Sequence, residues 1–83
     1  MYKLLISSQA ETEIRKIPRA HQEAILEAML ELKEDPLIGK PLTRELTGRF
    51  SLRVGVYRII YKVRKKEKTV EIITAGHRAK IYD

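Results

Sequence analysis

No cysteine occurs in the 83 residues. Disulfides, thiolate nucleophiles and zinc–sulfur sites are therefore excluded together. Tryptophan is also absent and phenylalanine occurs once, so a core must be built chiefly from aliphatic side chains. The histidines are His21 and His77, far apart and in different predicted elements. Carboxylates do not cluster in the second half, so no metal is expected, and no other cofactor is called for. No apolar run approaches the ~18–20 residues of a membrane span. The opening "MYKLLISS" is too short for a secretory signal. The expectation is a soluble cytoplasmic protein with no membrane partner. The length predicts one domain over residues 1–83. A chain this short buries only about 60–65% of its unfolded surface, so chemistry belongs on an open face or in a shallow groove.

Acidic residues are missing from 46 to 66, and this absence matters most. The net charge is +6. Residues 1–42 carry six Lys/Arg and seven Asp/Glu, and residues 43–83 carry eleven and four, giving −1 and +7. All the excess positive charge lies in the second half. Such a field attracts polyanions, or an acidic protein that imitates one.

"YKLLIS" (2–7) reads as a first strand. A helix is expected to follow, with Ser8 as N-cap, Glu11 completing a capping box, and Pro18 as the stop. A second helix is predicted over 19–34, with Ala24, Ile25, Ala28, Met29 and Leu32 as its buried stripe. The two helices read as a hairpin divided by Pro18. Residues 35–48 hold two prolines and two glycines and read as a loop. "RFSLRV" (49–54) and "VYRIIYKVR" (56–64) alternate as strands, and "KKEK" (65–68) is a polar turn. "TVEIITA" (69–75) is a central strand ended by Gly76, leaving "HRAKIYD" as a short C-terminal tail or helix. The predicted class is α+β: an N-terminal strand and a two-helix hairpin on a small antiparallel β-sheet, in the order β-α-α-β-β-β.

Period-2 geometry puts Phe50, Leu52 and Val54 on one face of their strand and Arg49, Ser51 and Arg53 on the other. On the next strand it opposes Tyr57, Ile59, Tyr61 and Val63 to Arg58, Ile60, Lys62 and Arg64. Helices can cover only the apolar face. The plain reading of the other is a wet sheet surface that needs polar side chains. A solubilising face usually mixes both signs, however, and like charges across strands repel. The sign bias favours a polyanionic partner. Arginine suits phosphate because its planar fork matches the oxygens.

"SLRVGVYRIIYKV" followed by "ITAGHRAKIYD" resembles the RelE branch of the RelE/ParE toxin superfamily, across nearly the whole chain. The resemblance implies a type II toxin–antitoxin toxin that acts as a ribosome-dependent, metal-independent endoribonuclease. Such an mRNA interferase cuts mRNA in the ribosomal A site by attack of the 2′-OH on the adjacent phosphate, and translation is inhibited. It implies as partners a cognate RelB-like antitoxin, the ribosome and mRNA, with operator DNA bound only by the toxin–antitoxin complex. Carried over by position, Arg58 matches the catalytic arginine, Arg78 a second arginine and Tyr82 a C-terminal tyrosine used in catalysis or base stacking. Arg49 and Arg53 match basic positions that bind RNA. Ser51 departs from the pattern, standing where some members have a lysine proposed as general base.

The chemistry needs a base, charge stabilisation of the phosphorane, and an acid for the leaving oxygen. Arg58 and Arg78 fit the second need. Tyr82 is a base or a stacking platform, against the plainer role of anchoring the chain end. His77 is a candidate acid or base by its ordinary pKa, against a structural role. Lys62 and Arg64, with Arg49 and Arg53, are candidate phosphate contacts. His21 reads as surface. Two alternatives stay open: a ParE-like inhibitor of DNA gyrase, and a catalytically inactive member that binds nucleic acid or antitoxin.

Overall fold

The structure is a computed structural model, and it describes residues 1–77. Five strands form one sheet flanked by two helices: β1 (Lys3–Ile6), α1 (Ser8–Arg15), α2 (Arg19–Glu34), β2 (Lys40–Pro41), β3 (Arg49–Val54), β4 (Tyr57–Arg64) and β5 (Thr69–His77). The strand order is β1-β5-β4-β3-β2. The α+β class is the expected one. Three pairings are antiparallel, but β1 runs parallel to β5. The helices intervene between β1 and the rest, and β5 returns to fill the gap between β1 and β4. None of the described helices is long and apolar enough to cross a membrane.

The entry into α1 differs from expectation by one residue. Ser7, not Ser8, is the N-cap: its backbone is extended, and its Oγ accepts from the Ala10 amide at 3.0 Å. Ser7 is fixed there because its own amide and hydroxyl also donate to the carbonyls of Ile72 (3.0 Å) and Ile73 (2.7 Å) on β5. Glu11 is then too far along to close a capping box. It pairs with Arg15 instead, at 2.7 Å. That pair is exposed and contributes only about 0.3–0.5 kcal/mol.

Helix α2 spans the expected residues. Ile25, Met29 and Leu32 are buried, Ala28 is half-buried, and Ala24 is exposed, so the stripe is narrower than its sequence pattern. Each large side chain removed from water here stabilises by about 1.5–3 kcal/mol. Their partners are Ile59 and Tyr61 on β4 and Val70, Ile72 and Ala75 on β5, with Phe50, Leu52, Val54, Tyr57 and Val63 at the margin. Every one of these β3 and β4 residues lies on the face the alternation assigned to the core. Cross-strand rows align it: Val63 opposite Val70, Tyr61 opposite Ile72, Ile59 opposite Ala75.

Two features of the sheet were not anticipated. Strand β2 lies inside the expected loop, and its Lys40 and Pro41 pair with Ser51 and Phe50. Two residues are too few to show period-2 alternation, and proline fits there because the strand is an edge. Strand β5 also runs through Gly76 to His77 instead of ending at Gly76, because β4 is long enough to pair with both. A register shift at Ile60/Tyr61 leaves Ile73 as the extra residue of a bulge, at the point Ser7 grips.

The loop before β3 is tied to the core by Tyr61. Its hydroxyl donates to the Pro36 carbonyl at 2.8 Å and accepts from the Gly39 amide at 3.0 Å. Its ring stacks on Phe50, with centroids 5.4 Å apart. Glycine is required at 39, because a Cβ there would collide with that hydroxyl. Burial, reinforced by the nearby Asp35 charge and opposed by the Gly39 hydrogen bond, pushes the phenol above its ordinary value. The folded protein thus holds this proton more tightly than the unfolded chain. The stabilisation is intact below about pH 10 and is lost as pH rises through the folded value. Tyr61→Phe is expected to lower stability by about 1–3 kcal/mol in urea at neutral pH, because Pro36 and Gly39 lose their partner. It should also weaken the alkaline decline in stability. A variant as stable as the parent would show that this clasp contributes nothing.

Candidate nucleic-acid interface

Strands β3 and β4 meet through a two-residue turn, Gly55–Val56, with Val54 opposite Tyr57. Gly55 has φ of 62°, in the left-handed region, which a tight hairpin turn asks of a glycine. Turn length fixes register, and register fixes which side chains meet. On the face away from the helices, Arg53 is opposite Arg58, which is opposite Gly76. The next row is Ser51, Ile60 and Thr74, and the row beyond is Arg49, Lys62 and Glu71. Directly opposed residues have Cβ atoms about 4.5–5.5 Å apart. Arg49, Arg53, Arg58 and Lys62 thus occupy one surface.

The side chains do not all stand alike. The Arg53 Nε donates to the Gly55 carbonyl at 3.2 Å, so this guanidinium bends back over the hairpin turn. The Arg58 Nη1 donates to Ser51 Oγ at 3.1 Å, drawing that group toward the middle of the sheet. Arg64 is held by Glu71, at 3.2 Å from Nε and 3.0 Å from Nη2 to the same carboxylate oxygen. Its charge is partly cancelled by that partner. Ile60 is 3% exposed although it points away from the helices and outside the contiguous core, as the alternation placed it.

His77 lies on the other side. It pairs with Tyr57, not with Arg58. Its ring meets Tyr57 edge-on at 6.0 Å between centroids, and His21 approaches the same tyrosine at 5.2 Å. Since Tyr57 belongs to the core margin, the sheet separates the His77 ring from the Arg58 side chain. The candidate acid or base therefore stands outside the cationic surface. Sequence could not tell its direction because the strand was expected to stop one residue earlier. His21, expected as plain surface, has this ring contact. Arg78 and Tyr82 lie outside the described residues.

A groove of about 620 Å³ flanks α1 and the end of β5, bordered by Glu13, Lys16, Tyr57 and His77 among others. Glu13 Oε1 accepts from the Thr74 hydroxyl at 2.6 Å and the Ala75 amide at 3.1 Å. Strand β1 pairs only as far as Ile72, so Glu13 satisfies β5 beyond that point. Glu71 and Gly76 were not singled out as neighbours of the arginines, and Ser51 was placed on the face of Arg49 and Arg53 but not beside Arg58. The signal available was register: once Gly55–Val56 is taken as the turn, Ser51 falls beside Arg58.

A five-stranded sheet with two helices on one side and clustered cations on the other defines a small α+β protein with one cationic face. Comparison with known proteins makes this specific. The family model described as ParE toxin of type II toxin-antitoxin system, parDE, matches residues 4–82. Toxin RelG of Mycobacterium tuberculosis is 40% identical over 83 residues, covering 98% of this chain and 95% of that protein. The toxin–antitoxin complex RelBE2 of the same organism contains a chain with a TM-score of 0.87 and 37% identity, covering 93% of this chain and 98% of that one. A chain of the intact Escherichia coli RelBE complex has a TM-score of 0.79 and 26% identity, covering 93% and 96%. The chain belongs to the RelE/ParE superfamily of type II toxin–antitoxin toxins.

Strand β5 carries Gly76, the neighbour of Arg58, so its anchorage bears on the surface. Glu13→Ala is expected to lower stability by about 1–3 kcal/mol and to speed hydrogen exchange at the Ala75 amide. Glu13→Gln, which keeps the acceptor, should retain most of both. Unchanged exchange in the alanine variant would contradict the anchoring role.

Proposed function

We propose that this toxin is a ribosome-dependent endoribonuclease that cleaves mRNA in the A site. The observation carrying this reading is the register that puts Arg58 among Arg53, Arg49 and Lys62 on the face the helices leave uncovered. The similarity to proteins named toxin RelG and toxin RelE supports the same branch. In the reaction the ribose 2′-oxygen attacks the adjacent phosphorus and loses its proton to a base. The P–O5′ bond breaks, the 5′-oxygen takes up a proton, and a 2′,3′-cyclic phosphate remains. Arg58 stabilises the negative charge that gathers on the phosphorane oxygens. A preorganised donor of this kind is worth about 10²–10³ in rate. By resemblance, Arg78 is a second such donor and Tyr82 serves as base or stacks on a nucleobase. Arg49, Arg53 and Lys62 hold flanking phosphates, and Arg64 does so less strongly because Glu71 competes for it.

An open surface on a small domain is poorly suited to fixing an RNA in line for attack, a contribution that can reach about 7–11 kcal/mol. The ribosome supplies that alignment by holding the codon. No metal or cofactor is required by this chemistry. A RelB-like antitoxin is the proposed partner that neutralises the basic face, consistent with solved relatives described as toxin–antitoxin complexes. The pair, and not the toxin alone, would bind operator DNA. These activities belong to the cytoplasm.

A second reading, inhibition of DNA gyrase, is favoured by the ParE description of the matching family model. Primer extension on mRNA from a translation reaction separates the two. The ribonuclease reading expects cuts within codons, only with ribosomes present, and a loss of at least about 10²-fold in Arg58→Ala. Intact mRNA together with double-strand DNA breaks in expressing cells would overturn it in favour of the second.

A further inference from the structure

We infer that Glu71 is a specificity-determining residue that restrains the cationic face from capturing free RNA, so that the toxin stays available for mRNA held by the ribosome. This deepens the ribonuclease reading and rests on it. Among the described residues, Glu71 is the one acid in the five strands. It lies on the side of the sheet away from the helices, directly opposite Lys62 of β4 and Leu5 of β1. The next row on that face is Arg64, Thr69 and Lys3. Glu71 therefore stands among Lys62, Arg64 and Lys3, with the diagonal neighbours about 7–8 Å away and within reach of long side chains.

Its charge is directed at one of them. A single oxygen, Oε1, accepts from both Arg64 Nε at 3.2 Å and Arg64 Nη2 at 3.0 Å. The two side chains are 51% and 33% exposed, so RNA can reach the pair. An ion pair this open to water adds little to the fold. Its larger effect falls on binding. A phosphate approaching Arg64 must displace a carboxylate already held by the guanidinium, and it meets that negative charge as it does so. Tighter binding of the RNA backbone would not speed the chemistry, because contacts equally strong before and in the transition state leave the maximal rate unchanged. Toxin held on free RNA is also withheld from ribosomes. An acid inside the basic face lowers this unproductive affinity, while the ribosome supplies the alignment.

The test measures binding and cleavage separately. Binding of a labelled single-stranded RNA is followed by fluorescence anisotropy in a salt series, without ribosomes. Glu71→Gln keeps the shape and removes the charge. It is expected to add one phosphate contact, steepening the plot of log affinity against log salt by about 0.7, so that its advantage over the parent grows about fivefold for each tenfold fall in salt. Glu67→Gln removes an equal charge from the β4–β5 turn, outside the strands, and should leave the slope unaltered. In an Arg64→Gln background, Glu71→Gln should also leave it unaltered, because the added contact is Arg64's own. On programmed ribosomes, Glu71→Gln should cleave at a maximal rate within about twofold of the parent. Free RNA added as competitor in about 0.1 M salt should halve that rate at about one-fifth of the concentration needed against the parent. Equal slopes for Glu71→Gln and the parent, or the same steepening in Glu67→Gln, would overturn the inference. A parent toxin that leaves ribosome-held mRNA whole would overturn the ribonuclease reading, while the salt slopes would still decide whether Glu71 restrains RNA binding.

Discussion

Two arginines face each other across an antiparallel strand pair, and the rest of the surface is arranged around that conflict. Arg53 and Arg58 are brought into register by the tight turn at Gly55–Val56. Side chains so opposed repel in water. The structure resolves the repulsion with two neutral oxygens, the Gly55 carbonyl and the Ser51 hydroxyl, which draw the groups apart. A third basic residue on the strand, Arg64, takes the ordinary solution of an ion pair with Glu71. Within one strand, β4, Arg58 thus bonds a hydroxyl and Arg64 a carboxylate.

That surface exists because the sheet is covered on one side only. Ile25, Met29 and Leu32 of α2 and Ala10 and Ile14 of α1 meet the alternate residues of β4 and β5. Once Ile59 and Tyr61 point into this core, Arg58 and Lys62 have nowhere to go but outward. The link between α1 and β5 holds the far side in place. Ser7 grips both carbonyls at the bulge, and Glu13 takes over where β1 ends. A carboxylate of α1 and a hydroxyl at its start thus steady the strand whose Gly76 lies beside Arg58.

Much of this was legible in the sequence because period 2 is a strong signal in β3 and β4. The alternation at 49–54 and 57–64 assigned Phe50, Leu52, Ile59 and Tyr61 to the core and Arg49, Arg53, Arg58 and Lys62 to the opposite face. The extent of α2 was legible for a similar reason, since Pro18 and a regular apolar spacing bound it. What escaped depended on partners distant in the chain. Ser7 rather than Ser8 caps α1 because of carbonyls on β5, 65 and 66 positions away. Strand β2 is too short to carry a pattern. The side on which His77 falls depends on how far β4 extends to pair with it, and that is set by the opposite end of the hairpin.

The account depends most on the claim that RNA lies across the Arg58 face and not in the groove beside His77. The most direct measurement is an amide NMR titration of the folded toxin with a short RNA carrying a 2′-deoxy nucleotide at the cleavage position, so that it binds without being cut. The prediction is that shifts concentrate at Ser51, Arg53, Arg58, Ile60 and Lys62, fade as salt is raised, and spare Glu13, Lys16 and His21. Shifts gathered on α1 and the start of α2, with the β3–β4 amides unmoved, would contradict it.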